Sequence, residues 1–237
     1  LLLVPITILC LRSNRIRAML LAYAGAAGSW LAVNLPVYLA SPEGWLNFWT
    51  FNSDRGPDLG SLWYALGLID IPIESVSRLV TALLVIGTII ICLIMLLAPR
   101  RPRLAQGAFL MVALFVMVNK VYSPQYVLWL LPLLVLARPR WMDWLVFTIA
   151  ETAYFAAVWG YLDSQLANGA GQERLYVLAI VVRIGVQLWL CVRVVRDMLD
   201  PRLDIVRAGG RDDPDGGVLD EAPDAPWMTR LLRGLSS

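Results

Sequence analysis

An all-α, polytopic transmembrane helical bundle is the fold class this sequence predicts, and three observations predict it. Hydrophobic residues make up 59 % of the 237-residue chain and charged residues 16 %, with mean hydropathy +0.65. Such a balance leaves too little polar surface for a soluble domain of this size. The apolar residues gather into runs at 1–11, 18–40, 76–98, 104–118, 127–137, 142–162 and 175–195, several near the ~20 residues that cross about 30 Å of hydrocarbon as helix. The basic residues between the runs cluster in alternate connections, which is the pattern that orients membrane helices.

The first run opens Leu1-Leu2-Leu3-Val4-Pro5, with neither a basic flank nor a small-residue cleavage site, so it does not read as a signal peptide. It is too short to span, and the expectation is that the chain is the C-terminal part of something longer. Runs 18–40, 76–98, 142–162 and 175–195 are long enough to cross. Runs 104–118 and 127–137 reach only ~22 Å and ~17 Å at helical rise. The polar break between them therefore lies below the membrane surface, or the two form a re-entrant hairpin. Irregular backbone at that depth is tolerated where it is buried in protein or lines a wet cavity. The expected total is about six to seven membrane segments, some short or re-entrant.

Arg12, Arg15 and Arg17, then Arg100, Arg101 and Arg103, then Arg138 and Arg140, and finally Arg193, Arg196, Arg202 and Arg207 occupy alternate connections. The intervening ones hold only Arg55 and Arg78, Lys120, and Arg174. This asymmetry predicts a cytoplasmic C-terminus, with Lys120 and a loop over 41–75 on the outer side of the membrane. Residues 1–198 form the expected transmembrane domain. Residues 199–237, with Gly209-Gly210-Arg211-Asp212-Asp213-Pro214-Asp215-Gly216-Gly217, have too little apolar surface to order themselves and are expected to be a disordered cytoplasmic tail. Within it, 226–233 has the pattern of one amphipathic turn.

Several chemistries are excluded. Cys10, Cys92 and Cys191 are isolated within apolar runs and the chain has no histidine. Thiolate or imidazole metal centres and a Ser-His-Asp triad are therefore not expected, and no cofactor is expected. The net charge of +2 is uninformative about partners, since most charges orient the chain, and no nucleic-acid partner is expected.

Candidate residues come from the polar breaks and the buried charges. Lys120 is the only lysine, next to Tyr122, Ser123, Pro124, Gln125 and Tyr126. Donors around an ammonium suit a phosphate oxyanion, while a lysine at a helix end also snorkels to the interface without binding anything. The 41–75 loop carries Trp45, Phe48, Trp49, Phe51, Trp63 and Tyr64, which read either as an interfacial belt or as a lid over substrate. Arg55 and Asp58 lie in its polar turn. Glu151 and Arg183 sit at similar depth, roughly 12–16 Å from the Lys120 face. They form either an ion pair between adjacent helices or a polar cavity wall.

The sequence Lys120-Val-Tyr-Ser-Pro-Gln-Tyr126 followed by Leu128-Trp129-Leu130-Leu131-Pro132, together with Trp45, Phe48, Phe51, Arg55, Asp58 and Gly60-Ser61-Leu62-Trp63, resembles the C-terminal part of a known family. These are the polyprenol-phosphate-mannose-dependent membrane mannosyltransferases of the GT-C type, glycosyltransferase family 87, common in actinobacteria. The resemblance covers most of residues 18–195. It implies a bacterial cytoplasmic (inner) membrane and transfer of mannose or another hexose from a polyprenyl-phosphate donor to an extracytoplasmic glycolipid or glycan acceptor, by an inverting, metal-independent displacement. On that reading Lys120, Ser123, Gln125 and Tyr126 serve the donor phosphate, and Arg55, Asp58 and Trp63 the external loop and acceptor. The family's catalytic aspartate lies in an earlier external loop, so the general base is expected upstream of residue 1. The other function classes open to this sequence are a transporter or flippase of lipid-linked intermediates and a non-catalytic membrane partner subunit.

Overall fold

The computed structural model describes residues 1–166 and 173–236, and among these the chain is helical with no strand. Its helices are α1 (Leu3–Arg12), α2 (Ile16–Ala40), α3 (Pro42–Asp54), α4 (Leu62–Leu68), α5 (Val76–Leu97), α6 (Leu104–Val118), α7 (Val127–Ala137), α8 (Trp141–Leu162), α9 (Glu173–Leu199) and α10 (Pro226–Ser236). Four of them, α2, α5, α8 and α9, are long and apolar enough to cross a membrane, while α1, α6 and the 124–137 stretch are shorter apolar helices. The protein is a multi-pass helical membrane protein. Val85, Ile86, Ile89 and Ile90 of α5 are each at least half exposed, as lipid-facing positions must be and water-facing ones rarely are.

Helix α6 is the axis of the bundle. It is apolar all round, and ten of its fifteen residues are buried, the pattern of a helix enclosed on every side. Helices α1, α5, α7 and α9 pack around it. A Cβ on Gly107 would fall 2.6 Å from Met95 and 2.8 Å from Pro5, so glycine is what allows α1 and α5 to close on α6. A second, smaller core joins Ala65 of α4 to Tyr154 and Val158 of α8 and to Tyr176, Val177 and Ile180 of α9. Helix α2 has no buried residue and contacts only its neighbours α1 and α3 among the more heavily packed helices.

The 41–75 segment is not an irregular loop. Ser41 accepts from Gly44 N at 3.2 Å, with Pro42 at the first position, and so starts α3. Ser61 accepts from Tyr64 N at 3.1 Å and starts α4. Trp45 donates to Asn34 Oδ1 at 3.0 Å and packs edge-on against Trp30, Tyr38 and Trp49. Its aromatics thus split between an α2–α3 cluster and the core under α4.

The expectation of a disordered 199–237 tail is corrected by the structure. Residues 200–225 form turns that fold back over one end of the bundle, and α10 follows. Asp204 pairs with Arg103 at 2.8 Å, Asp212 with Arg101 at 2.5 Å and Arg207 at 3.1 Å, and Asp224 with Arg12 at 2.7 Å. Asp213 accepts from Leu104 N at 2.8 Å, and burial pushes its carboxyl above the usual carboxylate range. Leu219, Ala222, Ala225 and Met228 are buried as apolar anchors. The tail's charges are partners for arginines of the preceding connections. Read as solvated residues, the same aspartates and glycines look unfoldable.

Removing one partner of a buried pair leaves an uncompensated charge, at about 3–5 kcal/mol. Asp204→Asn should therefore lower thermal stability in detergent sharply, since Asp204 is 1 % exposed and serves both Arg103 and Gln106. Asp215→Asn, at an exposed position, should leave the unfolding temperature unchanged. A tail that made no contact with the bundle would give two silent substitutions.

Candidate functional site

The break between α6 and α7 is built on its carbonyl groups. Residues 119–123 are extended or irregular, and a single 3-10 turn at Pro124–Tyr126 leads into α7. Such backbone inside a bundle must find partners for groups that a helix would satisfy internally. Here Val118 O accepts from Trp63 Nε1 at 2.9 Å and Lys120 O from Asp58 N at 2.8 Å. Tyr122 O accepts from Arg183 Nη1 at 2.9 Å, and Ser123 O from Arg183 Nη2 at 3.4 Å. Tyr122 N in turn donates to Leu59 O at 3.2 Å. The 58–61 turn and the 120–123 break are thereby stitched together.

Glu151 of α8 and Arg183 of α9 meet at 2.9 Å, with Arg183 fully buried. Gln187, one turn beyond Arg183 on α9, donates to Glu151 Oε1 at 2.7 Å. The guanidinium carbon lies 3.5 Å from the Tyr122 ring centroid and 4.0 Å from that of Tyr154, a sandwich that adds cation–π attraction to the ion pair. Arg183 therefore has two duties. It answers the Glu151 charge, and it holds the irregular backbone of the break.

Gly60 locks the same junction. Its φ is +76°, its N–H donates to Tyr176 Oη at 3.0 Å, and an added Cβ would stand 2.2 Å from Tyr122 O and from Tyr154 Oη. Only glycine meets both the backbone angle and the space.

Beside this junction opens a cavity of about 530 Å³. Its polar side is formed by Arg55, Asp58, Ser123 and Gln125, and its apolar wall by Leu128 of α7 with Phe155, Val158, Trp159 and Leu162 of α8. Arg55 and Asp58 form an ion pair three residues apart, both partly exposed, and Arg55 lies 5.8 Å from the Phe51 ring. The Leu59 N–H and then the Arg55 guanidinium hold the Asp58 carboxyl below the usual carboxylate range. Asp58 is therefore a poor proton acceptor and a permanent negative charge at neutral pH.

The structure brings Arg55, Asp58, Ser123 and Gln125 to one cavity and places three of the expected residues elsewhere. Lys120 does not line it. Its ammonium donates to Ser53 O at 2.9 Å, to Asn52 O at 3.5 Å and to Ser77 Oγ at 3.3 Å, tying the end of α3 to the start of α5. The α3 carbonyls near its C-terminus lack helical partners and attract the nearest cation. Tyr126 stacks on Trp129 with centroids 4.6 Å apart. Trp63 is buried and caps Val118 O, which makes it a support for α6. Ser123 Oγ donates to Gln125 Oε1 at 2.5 Å.

The apolar wall was not legible beforehand, because Phe155, Trp159 and Leu162 look like ordinary lipid-facing residues of α8. Gln187 and Tyr154 were readable in principle: they stand four residues after Arg183 and three after Glu151, on the same helix faces.

The fold and cavity define a multi-pass helical membrane protein with an amphipathic pocket beside a broken helix pair. No family model, curated protein or solved structure matches the chain.

Arg183→Met should destabilise the fold by about 3–5 kcal/mol, as it strands Glu151 and two carbonyls. Adding Glu151→Leu should make matters no worse, since the second change removes the stranded charge; denaturant titration in mixed micelles reads the difference. A double variant clearly less stable than Arg183→Met would mean that Glu151 has a duty beyond answering Arg183. Gly60→Ala should lower stability by about 2–4 kcal/mol from strain at positive φ plus overpacking, whereas Gly56→Ala, with nothing within 4 Å of its Cβ, should be neutral in the same titration.

Proposed function

We propose that the chain acts in an integral membrane glycosyltransferase that moves mannose or another hexose from a polyprenyl-phosphate donor to an extracytoplasmic glycolipid or glycan. The observation that carries this reading is the cavity of about 530 Å³, which puts an arginine–aspartate pair and two hydrogen-bonding side chains against an aromatic and aliphatic wall. A sugar phosphate on an isoprenoid tail needs both halves of that chemistry. The polar end meets the charged head, and the apolar wall along α8 receives the first isoprene units.

The resemblance to polyprenol-phosphate-mannose-dependent enzymes supplies the reaction. An acceptor hydroxyl oxygen bonds to the anomeric carbon, and the bond from that carbon to the phosphate oxygen breaks. Its electron pair leaves with the polyprenyl phosphate. A cation placed at the departing oxygen stabilises the charge that develops there. Arg55 is given that role here in place of Lys120, because Arg55 lines the cavity and the lysine is engaged with α3. Arginine also matches phosphate oxygens with a two-pronged donor set. Asp58 orients the guanidinium, and Ser123 and Gln125 offer donors and acceptors to the sugar. The hydroxyl proton goes to a general base, a role given to none of these residues.

Binding of labelled polyprenyl-phosphate mannose to the purified chain in detergent tests the assignment without requiring turnover. Arg55→Gln should weaken binding about tenfold or more, the scale of one charge-assisted contact. Lys120→Met should stay within a few-fold of wild type. A free polyprenol that binds as well as its phosphate ester, or an Arg55→Gln chain that binds normally, would remove the basis of the reading.

A further inference from the structure

A second, smaller cavity of about 160 Å³ lies at the opposite end of α8 and α9, lined by Arg138, Arg140, Arg193, Arg196, Asp197 and Leu203. The 18 residues from Arg140 to Val158 place it roughly 27 Å along α8 from the larger cavity, so the two are separate sites. Its charge is unbalanced. Arg138 engages both Asp143 and Asp197, and Asp143 also lies 3.4 Å from Arg193. Four guanidinium groups thus face two carboxylates, which leaves two positive charges unanswered.

The arginines are also short of acceptors. The Nε–H of Arg140 is buried without a hydrogen-bond partner, and that of Arg193 has only the long 3.4 Å contact to Asp143. Arg140 makes a contact to Leu203 O at 2.9 Å, and Arg196 is exposed and forms no ion pair among the described residues. A buried donor without a partner and another only loosely met, next to excess positive charge, call for an anion with several oxygens.

The surroundings say how that anion is delivered. Trp141 and Trp144 stack at 4.7 Å in the first turn of α8, and Trp141 is 67 % exposed. Trp189 lies one turn from Arg193, with its ring 4.8 Å from the Arg193 guanidinium carbon, and is 40 % exposed. Tryptophans at the ends of spanning helices mark the boundary between headgroups and hydrocarbon. Basic pockets between helices at that level take anionic lipid headgroups.

We infer that this niche binds the phosphate of an anionic phospholipid, with the phosphodiester among Arg140, Arg193 and Arg196 and the acyl chains leaving along Trp189 and Trp141. Arg138 is held by its two aspartates and positions the cluster.

Native mass spectrometry of the full chain in detergent, titrated with phosphatidylglycerol and separately with phosphatidylcholine, tests the inference. Wild type should retain phosphatidylglycerol about tenfold more tightly or better. Each arginine near an anionic headgroup contributes about fivefold, so Arg193→Gln with Arg196→Gln should leave no more than the share of Arg140. Arg196→Gln alone should cut it about fivefold with an unchanged unfolding temperature, because that side chain supports no other residue described. Millimolar inorganic phosphate should leave the lipid bound. Equal retention of the two lipids, or a wild-type preference in a folded double variant, would overturn the site. Displacement by inorganic phosphate would overturn the lipid as its occupant.

Discussion

Helix ends leave backbone carbonyls without partners, and in this bundle cationic side chains close them. Arg12 donates to Met95 O and Leu96 O at the end of α5, and Arg103 to Leu136 O and Ala137 O at the end of α7. Lys120 does the same for Asn52 and Ser53 of α3, and Arg183 for Tyr122 and Ser123 in the break. Each contact matches a positive charge to the negative end of a helix or to exposed backbone. Each also ties two elements distant in sequence. Where water is scarce an unmet carbonyl costs several kcal/mol, so these residues fix the relative positions of helices that apolar contact alone would leave free to slide.

Once a guanidinium is buried for this purpose, its charge has to be answered, and the acids follow from that. Asp204 and Asp224 answer Arg103 and Arg12, and Glu151 answers Arg183. At one end the answering acids come from the C-terminal segment, which is therefore part of the fold. At the other the acid comes from α8, and Tyr122 and Tyr154 complete the enclosure. The Arg183 cluster and the larger cavity are connected through few atoms: Arg183 holds Tyr122 O, Tyr122 N reaches Leu59 O, and Leu59 follows Asp58. The polar side of the cavity is as rigid as that chain of contacts. Its apolar wall is a face of α8 that a membrane helix would carry anyway.

Much of this was readable from patterning, and the failures share a cause. The apolar runs anticipate the helices to within a few residues, because period and length are local properties. The break at 119–126 is visible as a polar interruption between runs too short to span. The tail is not legible because composition treats Asp204, Asp212 and Asp224 as solvated charges, and their partners lie roughly 100–210 residues away in sequence. Lys120 stays open between anion site and interfacial anchor for the same reason. A lone cation beside serine, glutamine and tyrosine looks like an anion site until the end of α3 is brought up to it. Trp63, expected to face an acceptor, is turned inward by the open carbonyl of Val118.

The sequence by itself determined that this chain is a helical membrane protein, where its long apolar helices run, and that Glu151 and Arg183 needed company at their depth. These follow from hydrophobic length, charge placement and desolvation, all of which act along a single helix. Only the tertiary structure decided which cation faces a cavity and which caps a helix. That choice rests on the direction of side chains from different helices, and on which unpartnered carbonyl lies within about 3 Å of each. Arg55 lines the cavity and Lys120 does not because α3 ends where it does, with two carbonyls open toward the lysine.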